Sequence, residues 1–232
     1  MPASTYASTE REAVLIGLIF DVDGTLVDNS ALHIEAFRLF LSRYDARGEF
    51  DEKWFARRNE DILKGLIPEA VEKYGWEKLS DEKEKLYREQ FRERIKPVAG
   101  IRELVLAARS AGLRCGVGSS APRQNVEFHL DICGIREYMD CCLCMEDVKV
   151  GKPDPDIYLR CCAALGFSPA ECIVFEDASA GIQAGKAAGC KVVAISSFNS
   201  PEMLKKTTEA DLVVRDFTEC TLEVLEALVG KD

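Results

Sequence analysis

AVLIGLIFDVDGTLVD, residues 13–28, runs eight apolar or small residues into two aspartates, Asp21 and Asp23, set one residue apart and followed by Gly-Thr. A continuous apolar run of this length, ended by polar turn residues, reads as a strand buried on both faces. The pattern recurs at LRCGVG (113–118), CCLCM (141–145), CIVFE (172–176), CKVVAI (190–195) and DLVV (211–214). Residues 101–110, 123–132, 156–165, 179–188 and 222–229 carry apolar or small side chains at spacings of three and four, the period of a one-sided helix. Buried strands alternating with such helices predict an α/β fold, a Rossmann-like parallel sheet with helices on both faces.

One interval breaks the rhythm. Between the first and second runs, residues 31–94 are charged and helix-favouring. A connection this long is not a loop. Residues 29–96 are therefore expected to form an inserted all-helical cap, with 14–28 and 97–232 as the core and 1–13 as a disordered tail. Within the insert, SDEKEKLYREQFRERIK (80–96) places opposite charges at helical spacing and reads as a solvated helix face.

Composition narrows the partners. Of 232 residues, 40 are acidic and 30 basic, a net charge of −10 with no basic block, which argues against nucleic acid or an anionic membrane. The eight-residue apolar run falls far short of the ~20 residues that span a bilayer. The polar first residues lack the apolar core of a secretory signal and the arginines of a transit peptide. Ten cysteines without a small-domain disulfide spacing read as reduced thiols in a cytoplasmic protein, and Cys141-x-x-Cys144 has no second pair at ligand spacing. A small-molecule partner is expected, with the chain a monomer or weak homodimer.

Ligands of an open parallel sheet bind beyond the carboxyl ends of its strands. The first strand delivers Asp21 and Asp23 there, the second Ser119 and Ser120, and the fourth Glu176 and Asp177, while Lys152 follows the third. Four crowded carboxylates raise one another's pKa unless a cation joins them. Oxygen-only ligands point to Mg2+, with Asp21, Asp23, Glu176 and Asp177 as the candidate metal residues and a backbone carbonyl near Asp23 among the ligands. Lys152 supplies a fixed positive charge, and Ser119 with nearby backbone N–H groups can take phosphate oxygens. GVGSSA also fits a dinucleotide-binding G-x-G-x-x-A, but it follows the second strand and Pro122 comes at once.

In chain order, DVDGT (21–25), the serine of GVGSSA, the lysine of GKPDPD (151–156) and the acidic pair of FEDASAG (175–181) resemble the four motifs of the haloacid dehalogenase superfamily. The resemblance implies that Asp21 is a nucleophile forming an aspartyl-phosphate, that Asp23 is the general acid and base, and that Ser119 and Lys152 assist. Asp23 further implies phosphoryl transfer rather than carbon–halogen cleavage. An insert after the first motif resembles the helical cap of the β-phosphoglucomutase and phosphoglycolate phosphatase branch. It implies a magnesium-dependent phosphatase for a small phosphorylated metabolite, with a β-phosphoglucomutase-type phosphomutase as the alternative. FARRNEDIL (55–63) is similar to the substrate-facing segment of such caps, which makes Arg57, Arg58 and Asn59 candidate substrate contacts beside Thr25, Ser120 and Ala121. His33 resembles the cap-hinge histidine. His129 reads as structural, Glu176 as an orienter of metal-bound water or a direct ligand, and Gly181, Gly185 and Gly189 as packing positions.

Overall fold

Strand β1 (Gly17–Phe20) has no exposed residue, because parallel neighbours flank it and helices cover both of its faces. The computed structural model describes residues 17–51, 54, 59–197 and 199–230. The proposed tail, Arg57 and Arg58 therefore lie outside the described residues. Beside β1 run β4 (Arg114–Gly118) and β6 (Cys172–Glu176); β5 (Cys141–Leu143), β7 (Lys191–Ile195) and β8 (Leu212–Val214) extend the sheet in the order β5-β4-β1-β6-β7-β8. All five pairings are parallel, with Phe20 opposite Val117 on one side and Phe175 on the other. The expected α/β sheet is the one found.

Alternate side chains of β1 feed two cores. Leu18 and Phe20 join one cluster with Val117, Phe175 and Phe217, while Ile19 joins another with Tyr158, Val174 and Ile182. Phe20 stacks on Phe175 with centroids 4.8 Å apart, a contact worth about 0.5–1.5 kcal/mol beyond the area it buries. Helices α5 (Ile101–Ser110), α6 (Arg123–Cys133), α7 (Asp156–Leu165), α8 (Ser179–Ala188) and α9 (Pro201–Thr207) connect the strands, and α10 (Leu222–Val229) follows β8. The third apolar run is shorter as a strand than expected, because Met145–Asp147 turns into a 3-10 segment.

The first connection carries two short antiparallel strands, β2 (Val27–Asp28) and β3 (Lys96–Pro97), which flank, among the described residues, four helices. These are α1 (Ser30–Leu41), α2 (Asn59–Leu66), α3 (Pro68–Tyr74) and α4 (Trp76–Phe91). The charged stretch 80–96 is not simply a solvated face, since Lys83 and Glu84 are only 1% and 5% exposed. They form an ion pair at 2.8 Å, and Asn59 and Asn125 donate to the same carboxylate at 2.8 and 2.7 Å. Buried charge survives here because its hydrogen bonds are supplied from α2, α4 and α6.

Candidate active site

Beyond the end of β1, a tight turn separates the two aspartates. Thr25, Leu26 and Val27 all return their N–H groups to Val22 O, and Gly24 takes a positive φ of 77°. A side chain at Gly24 would also collide with the Asp177 carboxylate, with its Cβ 2.1 Å from Oδ2. Gly24 is thus required twice, once for backbone conformation and once for the approach of Asp177.

Asp21 and Asp23 leave this turn toward different surroundings. Lys152 Nζ lies 2.5 Å from Asp21 Oδ1 and 2.6 Å from Glu176 Oε1. Asp21, Glu176 and Asp177 each bring a carboxylate oxygen within 4.8 Å of the others, and all three residues are buried. Asp23 is not in that group. Its Oδ1 accepts from Asn29 Nδ2 at 2.6 Å and stands 3.5 Å from both His33 Nε2 and His129 Nδ1. The sequence reading counted Asp23 among the candidate metal residues, with a backbone carbonyl near it as a ligand; the turn at 22–27 directs its side chain to Asn29 and the two histidines.

The electrostatics divide the same way. Burial pushes the Asp21 carboxyl up to about 7; Lys152 opposes the rise, and Glu176 adds to it. Asp177 is raised well above its ordinary value, first by burial and then by Glu176 and Asp21. Burial would raise Asp23 as well, but the nearby His33 ring, followed by His129 and Asn29, holds it well below the usual carboxylate range. His129 is pushed down to about 4 by burial, against the pull of Asp23. Three buried carboxylates facing one ammonium leave two negative charges, and the upward shifts show how poorly the protein alone accommodates them. A divalent, oxygen-preferring cation fits this donor set.

Glu176 is fully committed within the protein. Its Oε1 accepts from Lys152 and from the Tyr158 hydroxyl at 2.7 Å, and its Oε2 accepts from the backbone N–H groups of Asp177 and Ala178 at 3.0 and 3.2 Å. These four bonds fill the acceptor sites of a carboxylate. Gly181 makes room for it, because a Cβ there would lie 1.7 Å from Glu176 Oε1. Gly181 therefore touches the site, unlike the pure packing residue the repeat suggested, whereas Gly185 does face Val174 and Val192.

Ser119, at the end of β4, is buried, and its Oγ accepts from Ala121 N–H at 3.1 Å, which leaves the hydroxyl proton for a ligand. Ser120 is exposed beside it. Thr25 is fully buried and directs its hydroxyl to Asp177 Oδ1 at 3.4 Å, so it supports an acidic residue where the sequence reading had it facing substrate. Asn59 is engaged by Ser80 and Glu84. His33 stacks on Tyr87 at 4.0 Å, with Lys83 Nζ 3.1 Å from its Nδ1. His129, read as structural, stands against Asp23. Sequence reasoning missed Asn29, Lys83, Tyr87 and Tyr158, each of which sits in an otherwise ordinary helical or turn pattern.

The fold and this arrangement define an α/β protein with a buried carboxylate–lysine site at the strand ends, and comparison with known proteins bears on its family. The family model for haloacid dehalogenase-like hydrolases matches residues 18–195. This chain belongs to that family. It is 32% identical over 182 residues to the fructose-1-phosphate phosphatase of Escherichia coli, covering 76% of this chain and 94% of that protein. It is 30% identical over 208 residues to the validoxylamine A 7'-phosphate phosphatase of Streptomyces hygroscopicus subsp. limoneus, covering 87% and 93%. Among solved structures, β-phosphoglucomutase from Clostridium difficile superposes with a TM-score of 0.75 at 26% identity, covering 93% of this chain and 97% of that one. No helix among the described residues is long and apolar enough to cross a membrane.

Proposed function

We propose that this protein is a magnesium-dependent phosphatase that hydrolyses a small phosphorylated metabolite, of the sugar phosphate or phosphoglycolate kind, through an aspartyl-phosphate on Asp21. The observation that carries the reading is the Asp21 carboxylate held by Lys152 at 2.5 Å, beside Asp177 and across the turn from a second, separately held aspartate. The family and the named phosphatases among its relatives support it.

Asp21 and Asp177 would hold the cation, with Glu176 occupied in fixing Lys152. Bound there, magnesium supplies the positive charge that offsets the phosphoryl oxygens. The protein's own groups do the rest. Lys152 keeps the Asp21 oxygen in position to attack phosphorus, and Ser119 donates its free proton to a phosphoryl oxygen. The new bond forms between Asp21 oxygen and phosphorus as the ester P–O bond breaks, its electron pair leaving with the alcohol oxygen, which takes a proton from Asp23. Asp23 then takes a proton from water as the water oxygen attacks phosphorus and releases Asp21. Asp23 is ionised in the structure as it stands, so its acid role requires an arriving phosphate anion to raise its pKa. Residues 29–96 serve in this reading as the cap that closes over substrate, with Arg57 and Arg58 as candidate anion contacts.

A β-phosphoglucomutase-type phosphomutase is the second reading, favoured by the structural neighbour and by His33 beside Asp23. Phosphate release from a panel of phosphorylated sugars and small acids with magnesium separates the two, run beside conversion of β-glucose 1-phosphate to glucose 6-phosphate with a bisphosphate primer. Selective release with no isomerisation is expected. Isomerisation with little release would establish the mutase.

A further inference from the structure

Asp23 lies in a closed ring of hydrogen-bonding groups whose proton positions follow from donor and acceptor chemistry. The Gly24 N–H, shared with Val27 O, reaches Asn29 Oδ1 at 3.1 Å. A backbone N–H can only donate and a carboxylate can only accept, so both ends fix the orientation of the Asn29 amide. Its two Nδ2 protons serve Asp23 Oδ1 at 2.6 Å and Tyr87 Oη at 2.8 Å. Tyr87 Oη is thereby an acceptor from Asn29, and its own proton goes to His129 Nε2, 3.0 Å away. His129 Nε2 is then bare, which puts the proton of the neutral ring on Nδ1, 3.5 Å from Asp23 Oδ1.

The opposite tautomer conflicts with these contacts. With the proton on Nε2, Tyr87 would receive two donors and its own O–H would be stranded at a fully buried position, a cost of about 1–3 kcal/mol. A bare Nδ1 would also face the Asp23 carboxylate lone pairs. On the other side of Asp23, the Lys83 ammonium can only donate to His33 Nδ1, so the His33 proton sits on Nε2, also 3.5 Å from Asp23 Oδ1. His33 Nε2 and His129 Nδ1 are both buried without a hydrogen-bond partner, since 3.5 Å is too long for a good bond. Each is a donor held in reserve for a small movement of Asp23.

We propose that Tyr87 and His129 are positioning residues for Asp23: through Asn29 and the Nδ1–H tautomer of His129 they gather every contact onto Oδ1 and leave Oδ2 to exchange the proton. Tyr87 comes from α4 in the inserted helices and His129 from α6 of the sheet domain, so the proton-transfer group is oriented jointly by both. The inference rests on the acid–base role of Asp23 in the proposed reaction.

The test compares kcat/KM for an alkyl phosphate ester with that for p-nitrophenyl phosphate, whose leaving group needs no proton, together with 15N spectra of the histidine rings. Tyr87→Phe keeps the ring and removes the hydroxyl. It should lower kcat/KM for the alkyl ester by about tenfold or more while p-nitrophenyl phosphate loses no more than about threefold, within the range general acid catalysis supplies. The wild-type His129 ring should show a protonated Nδ1 and a bare Nε2, a pattern weakened in Tyr87→Phe. Equal loss on both substrates, or a protonated Nε2 in the wild type, overturns the proposal. Asp23→Asn distinguishes the two levels: the same leaving-group discrimination supports Asp23 as the acid. Its absence defeats that reading of Asp23, and the imidazole spectra still decide the tautomer.

Discussion

Replacing Gly181 by alanine should disable the enzyme by displacing Glu176. In an ordinary helix the change would gain about 0.5–1 kcal/mol. Here the new methyl would lie 1.7 Å from Glu176 Oε1 and 2.0 Å from its Cδ, so Glu176 must leave its position. Its departure breaks the bonds to Lys152, Tyr158 and two backbone N–H groups, and leaves Lys152 with Asp21 as its remaining anchor. One charge-assisted hydrogen bond is worth about 1.5–3 kcal/mol, so loss of the Glu176 anchor during phosphoryl transfer lowers kcat/KM about 10- to 150-fold. Breaking a buried ion pair on one side also costs about 3–5 kcal/mol of stability, outweighing the helix gain. The companion variant is Gly185→Ala, whose methyl has as its nearest neighbours the apolar Val192 Cγ2 at 2.8 Å and Val174 Cγ1 at 3.3 Å. It should cost about 1–3 kcal/mol of stability by overpacking and leave kcat/KM unchanged. Steady-state hydrolysis of the best substrate with magnesium, paired with urea unfolding of both variants, reads each quantity. A Gly181→Ala protein with wild-type kcat/KM would refute the reasoning.

Chelation of magnesium should abolish turnover and its return should restore it; persistence of turnover in excess chelator would contradict the cation requirement. Lys152→Ala should lower kcat severely, because Asp21 and Glu176 lose the ammonium between them; near-normal kcat would count against the assigned geometry. Glu84 makes stability depend on pH. Burial opposes its ionisation, but Lys83 and His33 outweigh burial and lower its pKa from 4.5 to about 2. A carboxylate with a depressed folded pKa stabilises above its unfolded value and loses that stability as pH falls toward the folded one. Between pH 6 and pH 3 wild type should lose about 2 kcal/mol through this group, a loss that Glu84→Gln lacks. Urea midpoints of the two proteins across that range would show it as a narrowing gap, and a constant gap would remove Glu84 from the account.

The sheet was legible because both of its faces are buried, which makes runs such as CIVFE continuously apolar, and β6 spans the same five residues. Helices α5, α7, α8 and α10 were equally plain from their spacing, whereas α9, only seven residues between polar loops, carries too little pattern to be read. The four motif regions announced Asp21, Lys152 and Asp177 because, weak singly, they occur in one order at successive strand ends, where crowded carboxylates call for a compensating cation. Asp23 was visible as a residue but not in its surroundings, since its side-chain direction depends on the turn at Val22. The Lys83–Glu84 pair and Tyr87 lay in a helix whose charges satisfy the rules for a solvated face. Only the packing of α4 against α1, α2 and α6 reveals that its polar residues turn inward.

The most direct measurement of the central claim is to mix enzyme with magnesium and a substrate labelled on its phosphoryl group, quench in acid within a turnover, and map the labelled peptide. The account predicts a hydroxylamine-labile phosphoryl group on the peptide containing Asp21, absent from Asp21→Asn. Turnover with no protein-bound label, or label on another residue, would contradict it.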